Sequence, residues 1–187
     1  TSRSIAILYY MLEDYIKSQL HYHKAIDGFN KVNNDYEKAG ILCNIGIIQM
    51  ITKDLQSAKK SFKNSLDIYK RKKITINNAK IYLNLGYVYM EEDSLDKALE
   101  TQLRAFDFLN KEKDVETYAD LLNNIGSIHF KKRAYSQAKE FYSRSLSIGE
   151  HIENDKFRII NTIGLAKINW EEKDVNASEI NLKKIIN

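Results

Sequence analysis

Residues 116–148 read ETYADLLNNIGSIHFKKRAYSQAKEFYSRSLSI, a helical apolar pattern with Gly126 in its middle. Glycine inside a helix costs roughly 1 kcal/mol against alanine, so a helix that keeps one is expected to meet a neighbouring backbone at that point. The expected neighbour is the helix carrying Ala138, twelve residues on, with Ser145 a third small residue seven further along. Small residues at these offsets let two antiparallel helices nest.

The same unit recurs. Gly46, Gly86 and Gly126 are 40 residues apart, and Ala58, Ala98 and Ala138 keep that step. Ile45, Leu85 and Ile125 precede the glycines, while Ser65, Ala105 and Ser145 hold the second small position. One step back from Gly46 stands Ala6, followed by Ser18, Tyr22 and Ala25 as a degenerate first copy. One step forward, Gly164 comes two residues early and Ala177 follows it by 13 rather than 12, which leaves the register of the last copy open. A fixed period of 20 to 50 residues marks a solenoid whose units bury their apolar faces against their neighbours. Helix-start residues at Asp35, Asp54, Thr75, Asp93 with Ser94, Asp114, Asp155 and Asp174 divide the chain into helix pairs at about 1–31, 35–73, 76–112, 115–153 and 155–187.

On these residues the chain resembles the tetratricopeptide (TPR) repeat family. Its consensus positions fall on Tyr82, Leu85, Gly86, Tyr89, Ala98, Gln102 and Ala105, with Gln102 alone out of type. In the next copy they fall on Leu122, Ile125, Gly126, His129, Ala138, Tyr142 and Ser145, and in the earlier one on Leu42, Ile45, Gly46, Gln49, Ala58, Phe62 and Ser65. The resemblance implies an all-α fold, a right-handed superhelical α-solenoid of antiparallel helix pairs forming a single array. Two features depart from the family pattern: the period is 40 rather than the usual 34, and the chain contains no proline. Six extra residues lengthen each helix pair by about 9 Å in total. This longer form resembles the helical-repeat segments of bacterial signalling regulators.

Composition narrows the function classes. The 187 residues are 43% hydrophobic and 29% charged, a globular balance, and no apolar run reaches membrane-spanning length. A net charge of +4 does not by itself call for nucleic acid or an anionic membrane. The single cysteine, Cys43, forms no internal disulfide and suits a reducing, cytoplasmic setting. The chain starts TSRS, and its final copy stops inside its second helix, with Ile180, Leu182, Ile185 and Ile186 expected to be only partly covered. A fragment of a longer protein is the expectation, or self-association through an uncapped end.

The candidate binding residues begin with an asparagine two places before each glycine: Asn44, Asn84 and Asn124, with Thr162 at that place in the last copy. At about 100° per residue this position lies roughly 200° from the glycine, away from the core contact. A carboxamide offers both donor and acceptor, so it can pair with a peptide group whatever the side chain. In the TPR family that face lines the concave groove, and the resemblance implies an asparagine ladder for an extended peptide. The same offsets add Lys80, Tyr87, Glu91, Asn123, Ser127, Lys131, Arg158 and Asn161, a mixed polar groove whose three cations favour a ligand with some negative charge. The bland alternative is that the asparagines are solvated and merely inherited with the repeat. A carboxylate clamp of the chaperone-tail type is not expected: its places hold Cys43, Ile47, Asn84, Asp120 and Asn124, and only Asn84 fits.

Other candidates read as structural. Lys70–Lys73 and Lys131–Arg133 sit at helix C-termini, where cations suit the dipole. His21 and His23 point about 200° apart, which is wrong for shared metal ligation. His129 holds a consensus aromatic position, and Trp170 is expected to pack near the end of its helix. No metal-protease, phosphate-loop or nucleophile-elbow signature is present, so no catalytic residue, metal or cofactor is expected. The sequence reads as a non-catalytic interaction module binding a peptide segment of a partner. The second reading is a ligand- or peptide-sensing segment of a bacterial transcription regulator or sensor kinase. RNA binding along the basic helix ends is a distant third.

Overall fold

A computed structural model describes residues 1–186, with the side chains of 1–183 and 185. The fold is all-α, without strands among the described residues. By packing it falls into two compact units that divide between Glu92 and Asp93. The first holds α1 (Ser2–Met11), α2 (Tyr15–Lys31), α3 (Asp35–Ile51), α4 (Leu55–Arg71) and α5 (Asn78–Glu91). The second holds α6 (Leu95–Ala105), a 3-10 turn (Phe106–Phe108), α7 (Val115–Lys131), α8 (Tyr135–His151), α9 (Asp155–Glu171) and α10 (Val175–Ile186). Within each unit every helix packs on the next along the chain.

The turns are built alike. A residue in the left-handed region, with φ between 52 and 64°, ends a helix at Glu13, Asn33, Lys53, Lys73, Asp93, Arg133, Glu153 and Lys173. None of these is glycine. Around Glu13, Asp14 N donates to Tyr9 O at 2.9 Å and Glu13 N to Tyr10 O at 3.0 Å, the paired bonds of a Schellman stop. The same pair closes α3, α4, α7, α8 and α9. In most turns the residue after the left-handed one caps the next helix. Asp14, Asp54 and Asp174 accept from the third residue on, Asn34 from Glu37 N and Asn154 from Lys156 N. Asp35 and Asp155 are therefore first-turn acids rather than caps.

The third pair breaks the rhythm. α6 has 11 residues where α4 and α8 have 17, and after the 3-10 turn Leu109 is extended. Asn110 supplies the reason: its Oδ1 accepts from Glu112 N and Lys113 N, while its own N–H donates to Asp114 Oδ2. Such short side-chain bonds offer the backbone an alternative to the helix.

The small residues serve rings and hydroxyls rather than backbone nesting. A Cβ on Gly126 would lie 2.8 Å from the Tyr142 ring, and one on Gly46 would lie 2.7 Å from Phe62. Gly126 thus makes room for an aromatic four residues beyond Ala138, and the expected neighbour is corrected accordingly. Ser65 Oγ donates to Ala39 O at 2.7 Å and Ser145 Oγ to Ala119 O at 2.8 Å, tying the two helices of a pair together. Ser18 to Ala6 O at 2.8 Å and Ser178 to Ala166 O at 3.0 Å are a matched pair across a twelve-residue step. That match fixes the last register: Ala166 and Ser178 stand 40 residues beyond Gly126 and Ala138, and Gly164 is not the equivalent glycine.

Two ends carry uncovered apolar groups. Ile180 is 57% and Leu182 44% exposed, and Ile185 is half-buried; the burial expected of Ile186 lies outside the described side chains. Trp170, expected to pack, is 63% exposed. Forty residues earlier Phe130 meets Tyr135 in a tilted ring pair at 5.8 Å, but the residue matching Tyr135 is Val175, which gives Trp170 no ring to meet.

Candidate functional site

Asn44 stands where the preceding helix sends its ring. In the first unit Tyr22 rises from α2 and its hydroxyl accepts from Asn44 Nδ2 at 3.2 Å. Burial pushes the Tyr22 phenol up, and the Asn44 bond pulls the other way. Asn84 follows on α5, next to no such hydroxyl because the ring at Tyr22's place in α4 is Phe62. Asn84 and, in the second unit, Asn124 on α7 are half-buried and make no side-chain hydrogen bond among the described residues. Their donors and acceptor remain available to a ligand.

Around Asn84, Lys80 is exposed and Tyr87 half-buried, and Glu91 takes an ion pair from Lys53 at 3.0 Å. On α7 Lys131 is exposed and unpaired among the described residues. Ser127 accepts from the Tyr142 hydroxyl at 3.1 Å and donates to Asn123 O at 3.0 Å, so its hydroxyl is committed inside the unit. Arg158 is exposed, with its charge held 2.6 Å from Asp155 on its own helix.

Asn161 does not line an open face. It is 0% exposed, donating to Ser145 Oγ at 2.9 Å and Phe157 O at 2.7 Å and accepting from Asn123 Nδ2 at 2.9 Å. The register explains the correction. Counted from Ala166, Asn161 occupies the place of Ile41, Ile81 and Leu121, each 0% exposed, and its polar atoms are satisfied inside the core. Likewise the place of Asn44, Asn84 and Asn124 is taken in α9 by Gly164, against which the far edge of Tyr142 packs, and not by Thr162.

The remaining reactive groups are quiet. Burial drives the Cys43 thiol up to about 12, with only a weak opposing pull from Lys80, so no thiolate forms near neutrality. His129 stacks on Phe141 at 5.4 Å, and burial, then Lys132, holds its imidazole below the usual value. His21 stacks on Tyr9 at 5.5 Å. Among the described residues no three metal-ligating side chains gather, and no helix is long and apolar enough to cross a membrane.

Tetratricopeptide repeat profiles match residues 77–151 and 34–72, together more than half of the chain. No curated protein matches the sequence. Among solved structures, a Rap protein complexed with competence and sporulation factor is similar, with a TM-score of 0.85 at 16% identity, covering 99% of this chain and 52% of that one. A STAND signal-transduction ATPase from Pyrococcus horikoshii with a tetratricopeptide repeat sensor gives 0.84 at 17% identity, covering 98% and 28%. MamA gives 0.67 at 16% identity, covering 97% and 92%. The chain thus spans about half the length of the Rap protein, and the likeness to all three is one of fold.

Proposed function

Since the chain belongs to the tetratricopeptide repeat family, we propose that it is a non-catalytic interaction module that binds a peptide segment of a partner protein. The contacts lie on the asparagine-bearing faces of α3 and α5 in the first unit and of α7 in the second. The observation that carries this reading is the pair of uncommitted carboxamides, Asn84 and Asn124, recurring at the repeat period on half-buried positions. A buried carboxamide with no assigned partner is costly, whereas one at a half-open surface can take a peptide group as it stands. Lys80, Tyr87, Asn123 and Lys131 flank these positions and are the second group of contacts in the reading. A reducing cytoplasmic setting belongs to it as well.

A regulatory segment of a bacterial signalling protein is the second reading. It is favoured by the similarity to the Rap protein, whose structure is a complex with competence and sporulation factor, and to the STAND protein with its tetratricopeptide repeat sensor. The two differ in what is attached to the module, not in the binding face.

Peptides selected against the chain from a random library test the proposal. Asn84→Ala and Asn124→Ala are each expected to weaken the selected peptide by roughly 1 to 3 kcal/mol while the thermal midpoint barely moves. Unchanged affinity in both variants removes the carboxamides from the interface.

A further inference from the structure

The first unit contains a cleft of about 230 Å³ between α1 and α3 that the repeat pattern does not require. Ile7 and Tyr10 come from α1, Tyr22 from α2, and Asn44 and Ile47 from α3. Ile7 is 38% and Tyr10 36% exposed, so the apolar wall is open to solvent. Its polar groups are two phenols and one carboxamide, and none carries a charge. Asn44 spends one N–H on Tyr22, which leaves its carbonyl oxygen and second N–H at the cleft.

Size and charge together select the occupant. A cavity of roughly 150 Å³ lined by aliphatic groups holds a benzene, and drug-sized ligands need about 300 Å³ or more. One large side chain fits between those limits. An ionised side chain would be stripped of water with no opposite charge in the lining to replace it. The second unit does not repeat the set: Ser127 and Lys167 stand for Ile47, while the place of Asn44 is kept by Asn124 and lost at Gly164. The cleft is therefore a property of these particular residues and not of the repeat.

We infer that this cleft is an anchor pocket for one neutral apolar side chain, leucine, isoleucine, methionine or phenylalanine, of an extended peptide whose main chain pairs with the free oxygen and N–H of Asn44. The inference rests on the peptide-binding reading and narrows it: the anchor at this end of the ligand is neutral, whatever charge the ligand carries elsewhere.

Two capped tripeptides, acetyl-Ala-Leu-Ala-amide and acetyl-Ala-Asp-Ala-amide, are the probes, titrated against the whole chain while the Asn44 side-chain amide signal is followed by NMR. The leucine peptide is expected to move that signal saturably, the aspartate peptide to bind about tenfold more weakly or not at all, and salt to matter little. Ile47→Trp fills the cleft and is expected to abolish the shift. Ile7→Glu, at an exposed rim where folding is not at stake, is expected to weaken the leucine peptide by about tenfold. Equal binding of the two peptides, no shift with either, or leucine binding that survives both variants overturns the inference. If library-selected peptides still depend on Asn84 in that event, the anchor fails and the peptide-binding reading stands. If no peptide is selected at all, both fail.

Discussion

Tyr142 is held by its two edges. A Cβ on Gly126 would come within 2.8 Å of one side of the ring, and a Cβ on Gly164 within 2.8 Å of the other. The ring is 5% exposed, its hydroxyl is fixed on Ser127, and it has nowhere to retreat. Gly126→Ala is therefore expected to lower stability by about 1 to 3 kcal/mol in urea unfolding. Gly28, inside α2 with nothing within 4 Å of its missing Cβ, is the contrasting case, and Gly28→Ala should raise stability by about 0.5 to 1 kcal/mol. His129 allows a pH test at the same scale. Its imidazole titrates low in the fold because it is buried against Phe141 and near Lys132, with Glu140 opposing weakly. As pH falls through the ordinary imidazole value of about 6.5, the unfolded chain takes up the proton first, so stability should decline until the lower folded value is passed. His129→Gln should flatten that decline between about pH 7.5 and 5.5, a window above the titration of the ion-paired aspartates. Residues such as Gly126 were legible from spacing alone, but their partners were not. A glycine reports that something comes close without saying whether it is a backbone or a ring. Asn161 was misplaced because Gly164 offered a glycine near the expected place, two residues out of phase, and two residues on a helix exchange an outer face for the core.

At the scale of the element, the helices owe their ends to a shared turn, and some turns lack a part. Ala134 stands at the N-cap of α8 and offers no side-chain acceptor, where Asp14, Asn34, Asp54, Asn154 and Asp174 do. Ala134→Asp is expected to raise stability by about 1 kcal/mol, read as a shift in the urea midpoint with unchanged slope. Among these caps Asp54 and Asp174 were legible from the sequence, whereas Asp35 and Asp155 stand one residue past the true caps and Asp14 was not singled out. The early stop of α6 was not legible, because its cause is the set of bonds Asn110 makes to its own neighbourhood, and an asparagine in a polar run carries no mark of which backbone groups it will choose. The cleft between α1 and α3 was hidden for a related reason. Ile7, Tyr10 and Ile47 each look like ordinary apolar positions, and only their joint placement beside Tyr22 and Asn44 leaves a gap.

For the whole molecule the controlling quantity is phase. Helices α3, α7 and α9 share a length of 17 residues and begin at 35, 115 and 155, whole multiples of 40 apart, and left-handed turn residues mark each half-step except at 113. A chain lacking residues 34–73 joins Asn33 to Ile74 in phase, and α2 then meets Ile81, Leu85 and Val88 of α5 where it had met Ile41, Ile45 and Ile48 of α3. That shortened chain is expected to keep its helicity per residue by circular dichroism and to unfold cooperatively. A chain lacking residues 34–53 sets a trailing helix where a leading one belongs and should lose cooperativity. The turns make this possible because most are sealed by their own paired backbone bonds, with no glycine reserved for them. Lengthening or shortening by whole repeats then needs no compensating change at the seam, so unequal recombination between copies of the coding sequence yields foldable products at once, and the copy number can drift faster than the residues within a copy.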